Sequence, residues 1–324
     1  MNSSTRQVRN YYLYISKKIH ELWAVILPGS YAHYYYRKAT NKKLNLRNPK
    51  NYYEKVQWLK VYSDISQWTA LADKYKVREY IKQCGLDDIL VKLYGVWENA
   101  DEIDFSTLPD KFVLKPNNCF GRVIIVYDKN QLDIDKTRVL LNKWVKERYG
   151  LSSFQPHYWN IERRIIAEEL LQDTSVQTFS NSLIDYKFFC IHGEPQIILV
   201  LYNRKNMTVG LKEGSGSTTK HACVFDLNWN LRPEILSGQF SNEKPVNLPK
   251  PKCFDEMVRI SKILSSPFPQ VRVDLYEVDN KIYFSELTFT DGGDLRTFTP
   301  EYYLKLGEKM DLSIAPRRTK RFII

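Results

Sequence analysis

The order of the predicted elements indicates an α+β fold. Helical patterns fill roughly the first hundred residues, with helices predicted at 51–62 and 67–83. Strands and helices then alternate irregularly, and a β-hairpin with acidic side chains is predicted near the C-terminus. With 324 residues, of which 43% are hydrophobic, the chain can form one large or two moderate domains with a substantial core.

Positive charge is concentrated at the two ends of the chain. Residues 1–50 hold ten Lys or Arg against the single Glu21, and residues 313–324 hold four more, whereas residues 51–312 are close to neutral. A nucleic-acid-binding protein more usually spreads its positive charge over a folded face, so we expect no nucleic-acid partner. Anionic surfaces, including the membrane, remain candidate partners of the basic ends.

The N-terminal segment has an apolar stripe at helical spacing, with Lys17 and Lys18 outside it. This pattern fits a helix lying on a membrane surface, and it equally fits a helix packed on the body of the protein. The longest early apolar run, 22–27, is far shorter than the roughly 20 residues that span a bilayer, and no signal peptide is evident. Five scattered cysteines predict neither a disulfide framework nor a zinc site. We therefore expect a cytoplasmic protein, with the inner face of the membrane as an alternative location. The apolar stripe described above comprises residues 12, 15, 19, 22, 23 and 26.

The middle of the chain predicts mixed strands and helices. A polar turn at 117–122 separates the first two strands, and His192-Gly193-Glu194-Pro195 joins a later pair. A Gly- and Ser-rich stretch at 210–219 predicts a loop. The predicted strands are 112–115, 123–127, 186–191, 196–202 and 222–227, with helices at 136–147 and 254–264 and an apolar run at 164–171.

The C-terminal hairpin has strands at 271–276 and 282–288. Period-two alternation places apolar side chains on one face and polar side chains on the other. Two carboxylates on the polar face suit Mg²⁺, which binds a few oxygen ligands together with substrate phosphates. A solvated face with an Arg–Glu cross-strand pair fits the same pattern. The polar positions are Arg272, Asp274, Glu286 and Thr288.

The length of the hairpin loop decides which side chains meet. A two-residue turn at Asp279-Asn280 pairs Asp274 with Ser285 and turns Glu286 to the opposite face. A three-residue loop over 278–280, with Asn280 in the left-handed region, places Arg272 opposite Glu286 instead. Only the second arrangement brings the carboxylates together, with Asp274 diagonal to Glu286, so the metal-site interpretation requires the three-residue loop.

Further charged residues point to nucleotide binding. Lys115 ends an apolar strand just before a turn containing Gly121, where backbone N–H groups and one lysine can bind phosphate oxygens. Asp185 and Lys187 lie two apart on a strand and hence on one face. Glu168-Glu169 ends an apolar run, and 73–78 supplies further cations on a predicted helix. No Ser-His-Asp or Cys-His motif is evident, which counts against hydrolase chemistry.

Taken in order, these stretches resemble the TupA-like ATP-grasp family over about 46–307. The resemblance implies an ATP-grasp fold in which two α+β lobes close on ATP, after a helical N-terminal region. The motifs are Asp73-Lys74 with Val77-Arg78-Glu79-Tyr80, Leu108-Pro109 with Phe112-Val113-Leu114-Lys115, Glu168-Glu169-Leu170-Leu171, Asp185-Tyr186-Lys187-Phe188-Phe189, and Arg272-Val273-Asp274-Leu275-Tyr276 with Phe284-Ser285-Glu286-Leu287-Thr288-Phe289.

The resemblance also implies roles for individual residues. Lys187 and Arg272 are expected to be catalytic, facing the γ-phosphate and an acyl phosphate. Asp274, Glu286 and Thr288 are expected to hold Mg²⁺. The residues expected to bind ATP are Lys74, Arg78, Lys115, Gly121, Glu168, Glu169, Leu171 and Asp185.

The implied activity is an ATP- and Mg²⁺-dependent carboxylate–amine ligase in a capsule or cell-wall polymer pathway. Its partners would be ATP, a carboxylate-bearing glycan or precursor, and an amine. A phosphotransferase, or a glycan-binding protein without ligase activity, is the alternative, because the phosphate loop 118–121 retains only the final glycine of the family's His-Gly-Ser-Gly type sequence. The expected divisions are a basic helical segment 1–47, a helical subdomain 48–108, a first lobe 109–170, a second lobe 171–312 and a basic tail 313–324.

Overall fold

The structure of the protein is a computed structural model that describes residues 3–173, 180, 182–203, 221–238, 246–290 and 297–319. The predicted loop at 210–219 lies outside these residues. The helices are α1 (Ser3–Ile26), α2 (Pro28–Thr40), α3 (Tyr52–Tyr62), α4 (Ser66–Ala72), α5 (Val77–Gln83), α6 (Ile134–Lys146), α7 (Phe254–Ser265) and α8 (Pro300–Lys309). The strands are β1 (Leu93–Trp97), β2 (Phe112–Pro116), β3 (Ile124–Val126), β4 (Ile165–Glu169), β5 (Asp185–Ile191), β6 (Glu194–Tyr202), β7 (His221–Phe225), β8 (Gln270–Val278) and β9 (Lys281–Thr288).

Two antiparallel sheets form the body of the protein. The first has strand order β1-β4-β2-β3 and the second β7-β6-β5-β8-β9. Helix α6 packs against the first sheet and forms one hydrophobic core with it. Helix α7 and the N-terminal helices form a second hydrophobic core with the second sheet. The predicted α+β class with a helical N-terminal region is confirmed. The predicted domain boundaries stay predictions.

Strand β1 was not predicted, because the pattern of roughly the first hundred residues indicated mostly helix. All five of its residues are half-buried, so it shows no alternation between buried and exposed positions. It is an edge strand of the first sheet and contains Gly95, which weakens the strand pattern further.

The predicted helix 67–83 is in fact two short helices, α4 and α5. The chain leaves helical geometry at Asp73, whose ψ is 113°. Its carboxylate accepts hydrogen bonds from the backbone N–H groups of Tyr75, at 2.8 Å, and Lys76, at 3.2 Å. Such local side-chain bonds compete with the helix. Lys74 therefore lies in a turn and not on a helix, whereas Arg78 lies in α5.

The predicted three-residue hairpin loop is wrong. Val278 pairs directly with Lys281, which leaves a two-residue turn in which Asp279 and Asn280 both have positive φ, 50° and 63°. This left-handed pair is the turn that matches the twist of a hairpin. A β-bulge then restores the facing of the carboxylates, because Leu275 pairs with Phe284 but Asp274 pairs with Glu286.

The bulge makes Ser285 the extra residue of β9 and reverses the alternation of the strand. Ile282 and Phe284 face the core before the bulge, and Leu287 faces it afterwards. Tyr283, which the sequence pattern placed on the apolar face, is only half-buried and pairs with Tyr276. The three-residue loop would have placed Arg272 opposite Glu286. In the structure Arg272 pairs with Thr288 across the hairpin.

The two basic ends of the chain differ in their contacts. The tail packs on α3: the Arg318 guanidinium donates to the backbone oxygens of Ser63, at 3.1 Å, and Lys60, at 2.7 Å. Arg317 lies 4.7 Å from the ring centroid of Trp58. Helix α1, in contrast, contacts mainly α2. No helix among the described residues combines the length and apolar character needed to cross a membrane.

His157 is a buried histidine in contact with the aromatic rings of Trp68, Tyr158 and Phe289. It packs edge-on against Trp68, and neither of its ring nitrogens has a hydrogen-bond partner among the described residues. Burial, reinforced by the nearby positive charge of Lys60, lowers the pKa of His157 from 6.5 to about 3. The folded protein therefore keeps this ring neutral.

We expect His157→Phe to reduce the loss of stability in acid. Between pH 6.5 and about 3 the unfolded chain binds a proton at His157 and the native state does not, so the free energy of unfolding falls as pH decreases. Each unit of pKa difference contributes about 1.4 kcal/mol over this window. Urea unfolding at several pH values gives the free energy of unfolding as a function of pH. Between pH 6.5 and about 3 this free energy should fall less steeply with decreasing pH in His157→Phe than in the exposed control His33→Phe. Parallel slopes would contradict the assignment.

Candidate active site

A cavity of about 790 Å³ lies between the two sheets. It is lined by β2, β3 and β4 on one side and by β5, β8 and β9 on the other, with Lys74 and Arg78 at one end. Its lining combines apolar side chains with five cations and five carboxylates. The charged residues are Lys74, Arg78, Lys115, Arg122, Lys187, Glu168, Glu169, Asp173, Asp185 and Glu286.

The first sheet contributes a lysine–glutamate pair. Lys115 pairs with Ile166 and Glu168 with Val113, so the two charged side chains lie diagonally on one face of β2 and β4. Their charged atoms are 2.5 Å apart, and Arg78 approaches the other oxygen of Glu168 at 3.8 Å. Burial alone would lower the pKa of Lys115, but Glu168 outweighs it and holds that pKa above its usual value. Lys115 is thus a permanent cation at the cavity wall.

The second sheet contributes a buried lysine held by two aspartates. Lys187 lies directly opposite Asp274 in the β5–β8 pairing and contacts its carboxylate. Asp185, two residues earlier on the same face, approaches the ammonium at 2.7 Å. Burial would lower the pKa of Lys187, yet the two carboxylates raise it above the usual value. This cation also stays charged despite its burial.

Arg272 clamps Asp274 in a bidentate pair. Its Nε and Nη2 donate to the two carboxylate oxygens, both at 2.7 Å. Burial would raise the pKa of Asp274, but Arg272 and then Lys187 outweigh it and lower that pKa. Arg272 Nη2 also reaches Glu286 at 3.3 Å and the Thr288 hydroxyl at 3.0 Å. The polar face of the hairpin is therefore one connected network of charges.

The hairpin supplies a donor set suited to a hard divalent cation. Asp274 and Glu286 face each other, and the Thr288 hydroxyl donates to Glu286 at 3.1 Å. Glu286 reaches the cavity, whereas Asp274 is fully buried, with both oxygens accepting from cations. The described residues contain no cluster of three or more His, Cys, Asp or Glu around one point. The two carboxylates with Thr288 fit Mg²⁺, provided that Asp274 releases one of its cationic donors.

Asn117 connects the turn at 117–121 to the turn that holds Lys74. It is fully buried, and its side-chain amide donates to Asp73 Oδ1 and to the backbone oxygen of Glu162, both at 2.8 Å. Its side-chain oxygen accepts from the Arg164 N–H at 2.8 Å. These bonds join three segments that are distant in sequence.

Lys74 is bound to the same segment twice. Its backbone N–H donates to the Asn117 carbonyl at 3.1 Å, and its ammonium donates to the Cys119 carbonyl at 2.8 Å. The ammonium also lies 3.9 Å from Glu286. Gly121, with φ of 77°, allows the loop to turn back beside it. The sequence analysis missed Asn117; its only signal was a polar residue directly after the strand that carries Lys115.

The apolar part of the cavity lies beside Glu169 and Leu171. Val113 and Ile125 line it from the first sheet, and Phe284 lines it from the second. Apolar side chains beside a carboxylate in a concave site can hold an aromatic base.

Ten of the thirteen residues expected in the site line this cavity; Arg272, Asp274 and Thr288 lie behind Glu286 and Lys187 and contact them. The roles expected of all thirteen stay predictions. Those at the cavity wall are Lys74, Arg78, Lys115, Gly121, Glu168, Glu169, Leu171, Asp185, Lys187 and Glu286.

Comparison with known proteins connects this geometry to a family. A family model described as TupA-like ATPgrasp matches residues 54–311. No curated protein matches the chain significantly.

Several solved structures are similar in fold. D-alanine–D-alanine ligase from Bacillus anthracis has 15% identity and a TM-score of 0.45, over 77% of this chain and 69% of its own. L-amino acid ligase from Bacillus licheniformis has 14% identity and a TM-score of 0.41, over 71% of this chain and 43% of its own. An ADP complex of N5-carboxyaminoimidazole ribonucleotide synthetase has 12% identity and a TM-score of 0.46, over 83% of this chain and 60% of its own. This chain thus spans less than two thirds of the last two proteins. Because all three TM-scores are below 0.5, the family assignment depends on the sequence match alone.

We expect Asp274→Asn to destabilise the fold far more than Glu286→Gln. Loss of the Asp274 charge leaves Arg272 and Lys187 buried with too little negative charge, which costs about 3–5 kcal/mol when one partner of a buried pair is removed. The side chain of Glu286 is 22% exposed, so its loss should cost about 1 kcal/mol or less. Urea unfolding of the two variants measures the difference. Equal losses would contradict the central position of Asp274.

Proposed function

The chain belongs to the TupA-like ATP-grasp family, and on that premise we propose that it is an ATP- and Mg²⁺-dependent ligase that joins a carboxylate to an amine. The observation that carries the proposal is the convergence of cations from both sheets on one cavity that also reaches Glu286 of the hairpin. Phosphoryl transfer requires mainly positioning and neutralisation of charge, which such an arrangement supplies.

The reaction would proceed in two steps. A carboxylate oxygen of the substrate attacks the γ-phosphorus of ATP, and ADP leaves with the electrons of the broken P–O bond. The amine then attacks the carbonyl carbon of the acyl phosphate, inorganic phosphate departs, and the amine loses a proton as the amide forms. Both steps develop negative charge on phosphate oxygens, so fixed cations favour both.

The residues of the chain would divide this work by position. Lys115 and Lys74, at the first-sheet side, would bind the phosphates of the nucleotide, with Arg78 behind them. Lys187 and Arg272, on the second sheet, would neutralise the transferred phosphoryl group and the acyl phosphate. Their pairing with Asp274 keeps both side chains in a single orientation before the substrates arrive.

The remaining residues would hold the nucleoside and the metal. Glu168, Glu169 and Leu171 would contact the adenosine, and Asp185 would hold Lys187 in place or contact the ribose. Glu286, Asp274 and Thr288 would hold Mg²⁺, which when bound neutralises the β- and γ-phosphate oxygens. Gly121 would let the backbone of the loop approach the phosphates.

For the substrates we propose a carboxylate-bearing surface polysaccharide or its precursor and an amino compound. The family resemblance supports this class. A cytoplasmic location follows from the need for ATP. Product analysis separates the proposal from its alternatives, because a ligase forms an amide, a phosphotransferase stops at a phosphate product, and a glycan-binding protein consumes no ATP.

We expect Glu286→Gln to keep the fold and lose most Mg²⁺-dependent turnover, because a neutral amide is a poor ligand for a hard divalent ion. The measurements are ADP release with uronic-acid oligosaccharides and amino acids, and the shift in melting temperature with Mg-ATP, which stabilises by roughly 2–3 kcal/mol at about a hundred times the dissociation constant. The exposed control is Glu301→Gln. A Glu286→Gln variant with wild-type ATP consumption would exclude the metal-binding role, and a wild-type protein that millimolar Mg-ATP does not stabilise would overturn the proposed function.

We expect Lys115→Ala to raise the KM for nucleotide at least about tenfold, because the variant loses a charged phosphate contact in the ground-state complex. Lys111→Ala, which removes an exposed lysine directly before β2, is the matched control. Unchanged nucleotide affinity in Lys115→Ala would show that the lysine serves only its pair with Glu168.

A further inference from the structure

Helix α1 has a continuous apolar face that nothing in the described chain covers. Its members repeat every three or four residues over five turns, which places them along one side of the helix. They are between 37% and 70% exposed, although all are aliphatic or aromatic. The members of this face, which we call the α1 stripe, are Val8, Tyr12, Ile15, Ile19, Leu22 and Ile26.

The opposite side of α1 is the side that packs on the protein. Ala24 is fully buried, and Glu21 is nearly so. Trp23 packs against Tyr31 and Tyr34 of α2, with ring centroids 5.4 and 5.0 Å away. Packing on the body is thus achieved by residues outside the α1 stripe, among them Trp23, which the sequence pattern had included in the apolar stripe.

Helix α2 in turn ties α1 to the body. Tyr31 donates a hydrogen bond to the backbone oxygen of Ser152 at 3.0 Å and packs edge-on against Phe154, with ring centroids 5.6 Å apart. Asn51, which caps α3, donates to the Tyr36 hydroxyl at 3.2 Å. The C-terminal end of α1 is therefore held in a fixed orientation, and the stripe faces outward.

The charges around the stripe indicate what it contacts. The sequence of α1 contains four cations, Arg6, Arg9, Lys17 and Lys18, against one carboxylate, Glu21. That carboxylate is buried and paired with Lys18 at 2.9 Å. Among the described side chains, the exposed surface of α1 thus carries apolar, hydroxyl-bearing and positively charged groups and no exposed carboxylate. A second copy of α1 placed on the stripe would bring two sets of cations together, which disfavours self-association.

We propose that α1 lies flat on an anionic lipid surface, with the stripe among the acyl chains and the cations against the headgroups. An apolar face flanked by Lys and Arg, with Tyr at the boundary, is the composition of helices that bind in the membrane interface. The proposed contact is through α1, since Arg317 and Arg318, the two described cations of the tail, contact the region of α3 instead. It does not depend on the ligase activity.

Co-sedimentation of the full-length protein with vesicles tests the proposal. The probes are vesicles of phosphatidylcholine alone and vesicles with about 30% phosphatidylglycerol, at low salt and at about 0.5 M salt. We expect binding to the anionic vesicles only, weakened by salt. Ile19→Glu should reduce this binding about tenfold, since it places a charge in the centre of the stripe. Ser16→Glu, an exposed position of α1 outside the stripe, makes the same charge change and should reduce binding far less.

Three results would overturn the proposal. The first is no binding of the wild-type protein to anionic vesicles at low salt. The second is equal loss of binding in Ile19→Glu and Ser16→Glu, which would indicate charge attraction without use of the stripe. The third is a dimer in sedimentation velocity that Ile19→Glu dissociates while vesicle binding is absent, which would assign the stripe to a second copy. Thermal unfolding of both variants, with and without Mg-ATP, shows that the body and the cavity are unaffected, because α1 lies outside the lining of the cavity.

Discussion

The buried carboxylate of Asp274 is the interaction on which the rest of the candidate site depends. It lies opposite Lys187 on one neighbouring strand and opposite Glu286 on the other, and it accepts both hydrogen bonds of the Arg272 fork. A lysine and an arginine this deeply buried require a negative partner, because a charge without one carries a desolvation cost of several kcal/mol. Asp274, together with Asp185 and Glu286, thus allows two cations to be present within a mainly hydrophobic sheet.

The same side chains also balance one another's charge within the site. Asp274, Asp185 and Glu286 neutralise Lys187 and Arg272 within the protein, so that the site is close to balanced by itself. A phosphate group with its metal ion brings both signs at once. Under the proposed function it would take over the cations and give the carboxylates a new partner in one event, and nucleotide and metal binding would then be linked through a shared set of side chains.

Two local devices set the geometry around this centre. The bulge at Ser285 turns Glu286 to the same face as Asp274, which the two-residue turn by itself would prevent. The Asn117 side chain joins the Asp73 turn to the segment before β4, and so places Lys74 beside the phosphate-loop segment. Both devices act on backbone placement. Neither carries charge.

Local pattern alone determined much of this protein: the α+β class, the face shared by Asp185 and Lys187, the motifs of the family and the apolar stripe with its flanking cations. These features depend on the spacing of residues that are neighbours in the chain, which periodicity reports directly. Tertiary structure alone decided the hairpin register, the break between α4 and α5, the role of Asn117 and the side of α1 that is left uncovered. The role of Asn117 and the orientation of α1 depend on contacts between residues far apart in the chain, such as Asp73 and Asn117, 44 positions apart, and no local periodicity encodes which distant partner a side chain meets. The Asp73 turn and the bulge at Ser285 are short-range features, but each interrupts a regular element, and periodicity describes only the uninterrupted element.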